Sequence, residues 1–172
     1  SDSGAWKRLK DAVEKLPEGS TITINGEIKA TNVGSNSGQI IIEKNITIQG
    51  SNNTTDILNA NSGGTDAPST THRIFIVQSG KTLTLKNLTL KGGQNTTGAF
   101  GGAITVTGSS TAELTDCIIE DCQANKGGAI GCYSGTTVTL TNTTIQKCKA
   151  TERGGAIYAR KLKPSQALST NN

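Results

Sequence analysis

Short runs in which apolar and polar residues alternate recur along the chain, as in Thr82-Leu83-Thr84-Leu85 and Thr137-Val138-Thr139-Leu140. A period of two puts every second side chain on one face of extended backbone, so each run predicts a short β-strand. Fainter copies are Ile40-Ile41-Ile42 and Asn45-Ile46-Thr47-Ile48. One stretch follows a different period. From Ser3 to Leu16 the residues Trp6, Leu9, Val13 and Leu16 fall on one helical face, with Ser3 or Asp2 placed to cap its start and Pro17 beyond its end.

The strands belong to a repeat. The tetrapeptides Gly101-Gly102-Ala103-Ile104, Gly127-Gly128-Ala129-Ile130 and Gly154-Gly155-Ala156-Ile157 stand 26 and 27 residues apart. Between them, Leu85 to Leu90 aligns with Leu114 to Ile119 and with Leu140 to Ile145, so Asn87, Asp116 and Asn142 share one position. Asn and Asp tolerate left-handed backbone, and at a shared corner they predict a structural ladder from coil to coil. Paired glycines predict a tight corner, where φ is positive or a Cβ would clash, and not a phosphate cradle. The interval from Leu90, Ile119 or Ile145 to the next Ile of the motif varies from 11 to 14 residues, which predicts a surface loop at that corner.

A coil of three short strands buries its inner face only by stacking on its equivalents, at about 4.8 Å per coil. The sequence therefore predicts an all-β, right-handed parallel β-helix, a solenoid of roughly five coils with an N-terminal amphipathic capping helix. One domain is expected over 1-172: the capping helix at 1-18, coils at 19-160 with an insertion loop at 51-72, and a tail at 161-172. The helix is expected to cover the first coil's apolar interior. After Ala159 the pattern dissolves into Arg160-Lys161-Leu162-Lys163-Pro164. That predicts an uncapped C-terminal coil, open to self-association or to continuation in a longer parent protein.

Composition agrees with many turns and little helix: 33% of residues are hydrophobic, 3% aromatic, and 21 are Gly. The net charge of +4 is spread along the chain without a run of like charges, so no nucleic acid is expected as a partner. No apolar stretch reaches the length of a membrane-spanning helix.

Candidate chemistry is sparse. Cys117 stands in the place of Leu88 and Cys132 in that of Val106, while Cys122 and Cys148 share one position in successive coils. Buried thiols acting as small apolar residues are the favoured reading, with a Cys122 to Cys148 disulfide left open. A zinc site is disfavoured, because no CxxC pair occurs. The lone His72 has no partner at a catalytic spacing and reads as a surface turn residue. Glu113, Asp116, Glu120 and Asp121 cluster in one coil, but the next coil answers with Thr139, Asn142, Gln146 and Lys147, so no acid pair recurs. No catalytic residue, cofactor or metal is implied. Lys126 and Arg153 each precede a glycine pair and are expected to stack on one edge near Lys147 and Lys149, a basic row suited to an acidic glycan and relieved by Glu152. No aromatic residue for sugar stacking is expected beside that row.

Ile119-x-x-Cys122-x-Ala124 followed by Gly127-Gly128-Ala129-Ile130, and Ile145-x-x-Cys148-x-Ala150 followed by Gly154-Gly155-Ala156-Ile157-Tyr158, resemble the repeats of bacterial polymorphic outer-membrane proteins. The resemblance covers roughly Arg73 to Tyr158 and implies a right-handed parallel β-helix of the pectate-lyase-like type. It further implies a secreted or cell-surface protein, outer-membrane associated, with a non-catalytic adhesion or interaction role toward a host protein or an acidic glycan. Polysaccharide lyases share the fold, so a carbohydrate-active enzyme, a lyase or a glycoside hydrolase, is the alternative.

Overall fold

The apolar positions of the alternating runs all turn inward, and each strand finds its partner one coil away. The computed structural model describes residues 4–160 and 169–171 and is a parallel β-solenoid of about five coils with a single N-terminal helix. The first coil supplies β1 (Thr21–Thr23) and β2 (Glu27–Lys29), the second β3 (Ile40–Ile42), β4 (Ile46–Gln49) and β5 (Ile57–Asn59). The third holds β6 (Phe75–Val77), β7 (Thr82–Lys86), β8 (Thr89–Lys91) and β9 (Gln94–Phe100). The fourth holds β10 (Ile104–Val106), β11 (Thr111–Thr115), β12 (Ile118–Glu120) and β13 (Gln123–Lys126). The fifth holds β14 (Ile130–Cys132), β15 (Thr137–Thr141), β16 (Thr144–Gln146) and β17 (Lys149–Arg153), and a last partial turn adds β18 (Ile157–Ala159) and β19 (Ser169–Asn171).

These strands form four parallel sheets. The first joins β3, β6, β10, β14 and β18; the second joins β1, β4, β7, β11, β15 and β19. The third joins β2, β5, β8, β12 and β16, and the fourth joins β9, β13 and β17. Inside, side chains stack in columns, such as Ile48, Leu85, Leu114 and Leu140 in the second sheet and Leu58, Leu90 and Ile119 in the third. All of these are buried. Each contributes about 1.5–3 kcal/mol of burial, but only because the coils above and below close the space around it.

The shared corner is left-handed, with φ of 51° at Asn87, 53° at Asp116 and 45° at Asn142. The ladder there runs through main chain, from Asn87 N–H to Thr115 O (3.1 Å) and from Asp116 N–H to Thr141 O (3.0 Å). Asn and Asp serve this corner by tolerating that backbone conformation. In the glycine pairs the two residues meet different demands. Gly127 has a φ of +63°, whereas a Cβ on Gly128 would lie 2.5 Å from Lys149 O.

The structure departs from the sequence reading in four places. The corner of variable length is a fourth sheet rather than a surface loop, and a register shift between Ala124 and Lys126 absorbs the extra residues. The segment 51-72 is not one insertion loop, because β5 runs through it and Leu58 is buried in the core column. The tail 161-172 contributes β19, which pairs with β15; 161–168 and 172 lie outside the described residues. The helix, α1 (Ala5–Lys15), is capped by Gly4 without a side-chain bond, and Asp2 and Ser3 lie outside the described residues. Its Trp6, Leu9 and Val13 are buried against the first coils, as the apolar face requires.

Within 51-72, Asp56 fastens two coils together. Its carboxylate accepts N–H bonds from Gly26 (2.8 Å), Ser51 (2.7 Å) and Asn52 (3.0 Å), and these backbone donors, Gly26 foremost, hold its pKa at about 2. A folded pKa below the ordinary value of 3.8 means that the stabilisation is complete above that value and is lost as pH falls through about 2. Asp56→Asn is therefore expected to destabilise the protein at pH 7, with the gap from wild type closing between pH 4 and pH 2 in urea titrations. A gap independent of pH would show that charge plays no part at this clamp.

Candidate functional site

The basic row follows from the register of the fourth sheet. Phe100, Lys126 and Arg153 are direct partners across β9, β13 and β17, one residue before each glycine pair. Lys126 Nζ lies 5.4 Å from the centre of the Phe100 ring and pairs with Glu152 at 3.0 Å, so part of the row's charge is relieved as expected. Lys147 and Lys149 stand at the other end of β17, flanking a shallow hollow with Asp121, Cys122 and Gln123. The four cations thus divide into two pairs separated by the length of one strand.

The expectation that aromatics are missing is overturned. Phe100 lies over the outer face of the first sheet above Gly131, whose Cβ would come within 2.3 Å of the Phe100 Cβ. Tyr133 and Tyr158 flank the Phe100 ring at centroid distances of 4.6 and 5.0 Å, both tilted, so both tyrosines of the chain join one cluster. Phe100 is buried by this packing, and the two tyrosines are half-buried. Beneath it, Arg73 donates to Phe100 O (3.5 Å), to Thr105 Oγ1 and, from Nε, to the Asn95 amide oxygen (3.1 Å). All three acceptors are neutral. Among the described residues, no ion pair includes Arg73, Arg153 or Arg160. Arg160 follows β18 and, with Thr107, Gly108, Tyr133 and Ser134, lines a groove of about 420 Å³. The signal for this cluster stood in the repeat: Phe100 occupies the position of Lys126 and Arg153, and Tyr158 that of Gly131.

In the fourth coil Glu120 and Asp121 share Lys91 as a cationic partner. Glu120 accepts from Gln146 (2.8 Å) and Lys91 (3.0 Å), which hold its carboxyl below the usual range, and Asp121 lies 3.6 Å from Lys91. Glu113 accepts from the Thr84 hydroxyl at 3.4 Å. No cluster of metal-ligating side chains occurs among the described residues. His72 is not a surface turn residue: it is half-buried against Trp6, with ring centroids 5.4 Å apart. Burial lowers its pKa, and Nδ1–H donates to Arg73 O at 2.8 Å. The capping helix, which the spacing around His72 does not reveal, supplies that burial.

Cys117, Cys122, Cys132 and Cys148 are unbonded thiols. Cys117 and Cys132 occupy the inner columns, where burial pushes their pKa up to about 11 and about 12. Cys122 and Cys148 lie side by side, since the next residues, Gln123 and Lys149, are ladder partners. The hydrogen bond between this pair raises the pKa of Cys122 and lowers that of Cys148, whose sulfur is the less buried.

Compared with protein-family models, with characterised proteins and with solved structures, the chain finds no match in any of the three.

Proposed function

We propose that this protein is a secreted or cell-surface scaffold, outer-membrane associated, with a non-catalytic adhesion role exercised through the flank of the solenoid where the first and fourth sheets meet. An acidic glycan is the partner that this flank suits best. The observation that carries the reading is the in-register column Phe100, Lys126 and Arg153 beside Arg73: Lys126 shares its charge with Glu152, while Arg73 and Arg153 enter no ion pair among the described residues. A rigid row of cations at strand spacing attracts a polyanion from a distance and loses that attraction in salt. The resemblance of the repeats to those of polymorphic outer-membrane proteins, and of the coils to the pectate-lyase-like type, supports display at a surface. The same resemblance supports a host protein as the second class of partner, and the strand edges of the C-terminal coil suit self-association.

The test is incubation with acidic and neutral glycans, with binding followed by calorimetry and products by reducing-end and unsaturated-product absorbance. Saturable, salt-sensitive binding of acidic chains without turnover is expected. Replacing Lys126 and Arg153 together by Ala is expected to weaken it roughly tenfold and to flatten its salt dependence. Turnover would reassign the chain to the carbohydrate-active enzymes, and the absence of glycan binding would overturn the glycan reading.

A further inference from the structure

From the geometry of the aromatic cluster we infer a sugar-binding subsite: Tyr133 and Tyr158, braced by Phe100, form a stacking platform for the rings of an acidic polysaccharide, and Arg160 takes a carboxylate of the same chain. The inference rests on the proposed glycan-binding role and adds the residues that would read the sugar itself.

The location of the rings is the first argument. Of five aromatic residues in the chain, Trp6 and Phe75 are buried in the cap and the core, and the other three meet on one patch of the outer face. Burying an aromatic ring in the solenoid interior needs no explanation beyond packing, but gathering the remaining rings outside it does. Phe100 supports the two tyrosines from between, at 4.6 and 5.0 Å, and Gly131 gives it room to lie close to the sheet. Tyr133 and Tyr158 keep part of their surface open to solvent. Each ring combines an apolar face with a polar edge, which suits the apolar face and hydroxyl rim of a pyranose.

Charge supplies the second argument. Arg160 is the ladder neighbour of Tyr133, as its N–H bond to Cys132 O (2.9 Å) shows, and both line the groove of about 420 Å³. Its side chain and that of Tyr133 therefore share one groove. A carboxylate on a sugar stacked at Tyr133 would meet a planar two-pronged donor. Arg73, behind Phe100, adds positive potential without an acid to cancel it.

The strand pairing defines the peptide alternative. A peptide is commonly captured as an added strand; β14 is paired on both sides, with β10 and with β18, whereas β18, which carries Tyr158, has one edge unpaired among the described residues. A ligand on the outer face of β14 is read by side-chain faces, and a glutamate peptide tests the edge of β18.

The probes are oligogalacturonates, the same oligomers after carboxyl reduction, and a glutamate oligopeptide of equal charge. Calorimetry on the full chain is expected to show binding of the oligogalacturonate, at least tenfold weaker binding of the carboxyl-reduced form, and little binding of the peptide. Tyr133→Ala, Tyr158→Leu and Arg160→Gln are each expected to cost about tenfold in affinity, while Tyr133→Phe stays within about threefold of wild type. Thermal unfolding of each variant, matched to wild type, separates lost contacts from lost fold, and Tyr158→Leu keeps apolar volume against Phe100. If wild type binds and Lys126→Ala/Arg153→Ala weakens it while the tyrosine and Arg160 variants bind normally, the platform is overturned and the scaffold reading stands. If wild type binds no oligogalacturonate, both fall. Equal binding of the glutamate peptide would overturn the sugar assignment alone.

Discussion

Gly128→Ala is expected to lower the unfolding free energy by about 3 kcal/mol or more, whereas Gly155→Ala, the same change one coil later, is expected to stay within about 0.5 kcal/mol of wild type. The two glycines occupy one position of the repeat, but only the first is overlaid by described backbone. A Cβ on Gly128 would stand 2.5 Å from Lys149 O and 2.6 Å from Gly155 O, far inside the contact distance of a carbon and an oxygen from separate parts of the chain. The coils would have to part there, breaking the bonds from Gly128 N–H to Gly155 O (2.7 Å) and from Ala129 N–H to Ala156 O (2.8 Å). A Cβ on Gly155 meets no atom of the described residues within 4 Å, and that residue has no positive φ. Urea titrations of the two variants decide the matter. Equal losses would mean that the glycine is required by the backbone conformation of its own coil and not by the approach of the next.

Columns were legible in the sequence where one residue type repeats. Ile104, Ile130 and Ile157 pair as their motif predicts, and Leu85, Leu114 and Leu140 do the same. A second left-handed corner escaped notice. Gly92, Asp121 and Lys147, with φ of 63°, 53° and 53°, share a place in the coil but no side-chain chemistry, so only backbone geometry unites them. The fourth sheet was hidden for a related reason. Its strands differ in length by up to three residues, and a ladder with a register shift looks, in sequence, like a loop of variable length.

The candidate site divides in the same way. Lys126 and Arg153 were readable as neighbours because they precede identical tetrapeptides, and β13 and β17 pair them directly. Phe100 stands in the same position but breaks the charge pattern, and Tyr133 lies in a turn outside any repeated motif. Their meeting depends on the absence of a side chain at Gly131, and the glycine's neighbours in sequence, Ile130 and Cys132, both face inward and say nothing of what lies outside.

Trp6→Ala is expected to cost about 3–5 kcal/mol, the range for deleting a fully buried aromatic side chain, and to act unevenly along the solenoid. Trp6 is 0% exposed, packs against His72, and donates its indole N–H to Gly38 O at 2.8 Å. It therefore holds the capping helix to the coil beneath it by area and by one directed bond. Trp6→Phe keeps most of the area and loses the bond, so about 1–2 kcal/mol is expected for it. In a solenoid each coil is stabilised by its immediate neighbours, and loosening the cap should release β1 to β5 first. Hydrogen exchange is expected to accelerate in residues 21–59 of the Trp6→Ala variant, while the amides of β14 and β15 keep their protection. Acceleration spread evenly over all coils would mean that the chain unfolds as one cooperative unit. The helix would then act on the whole stack and not as a local lid.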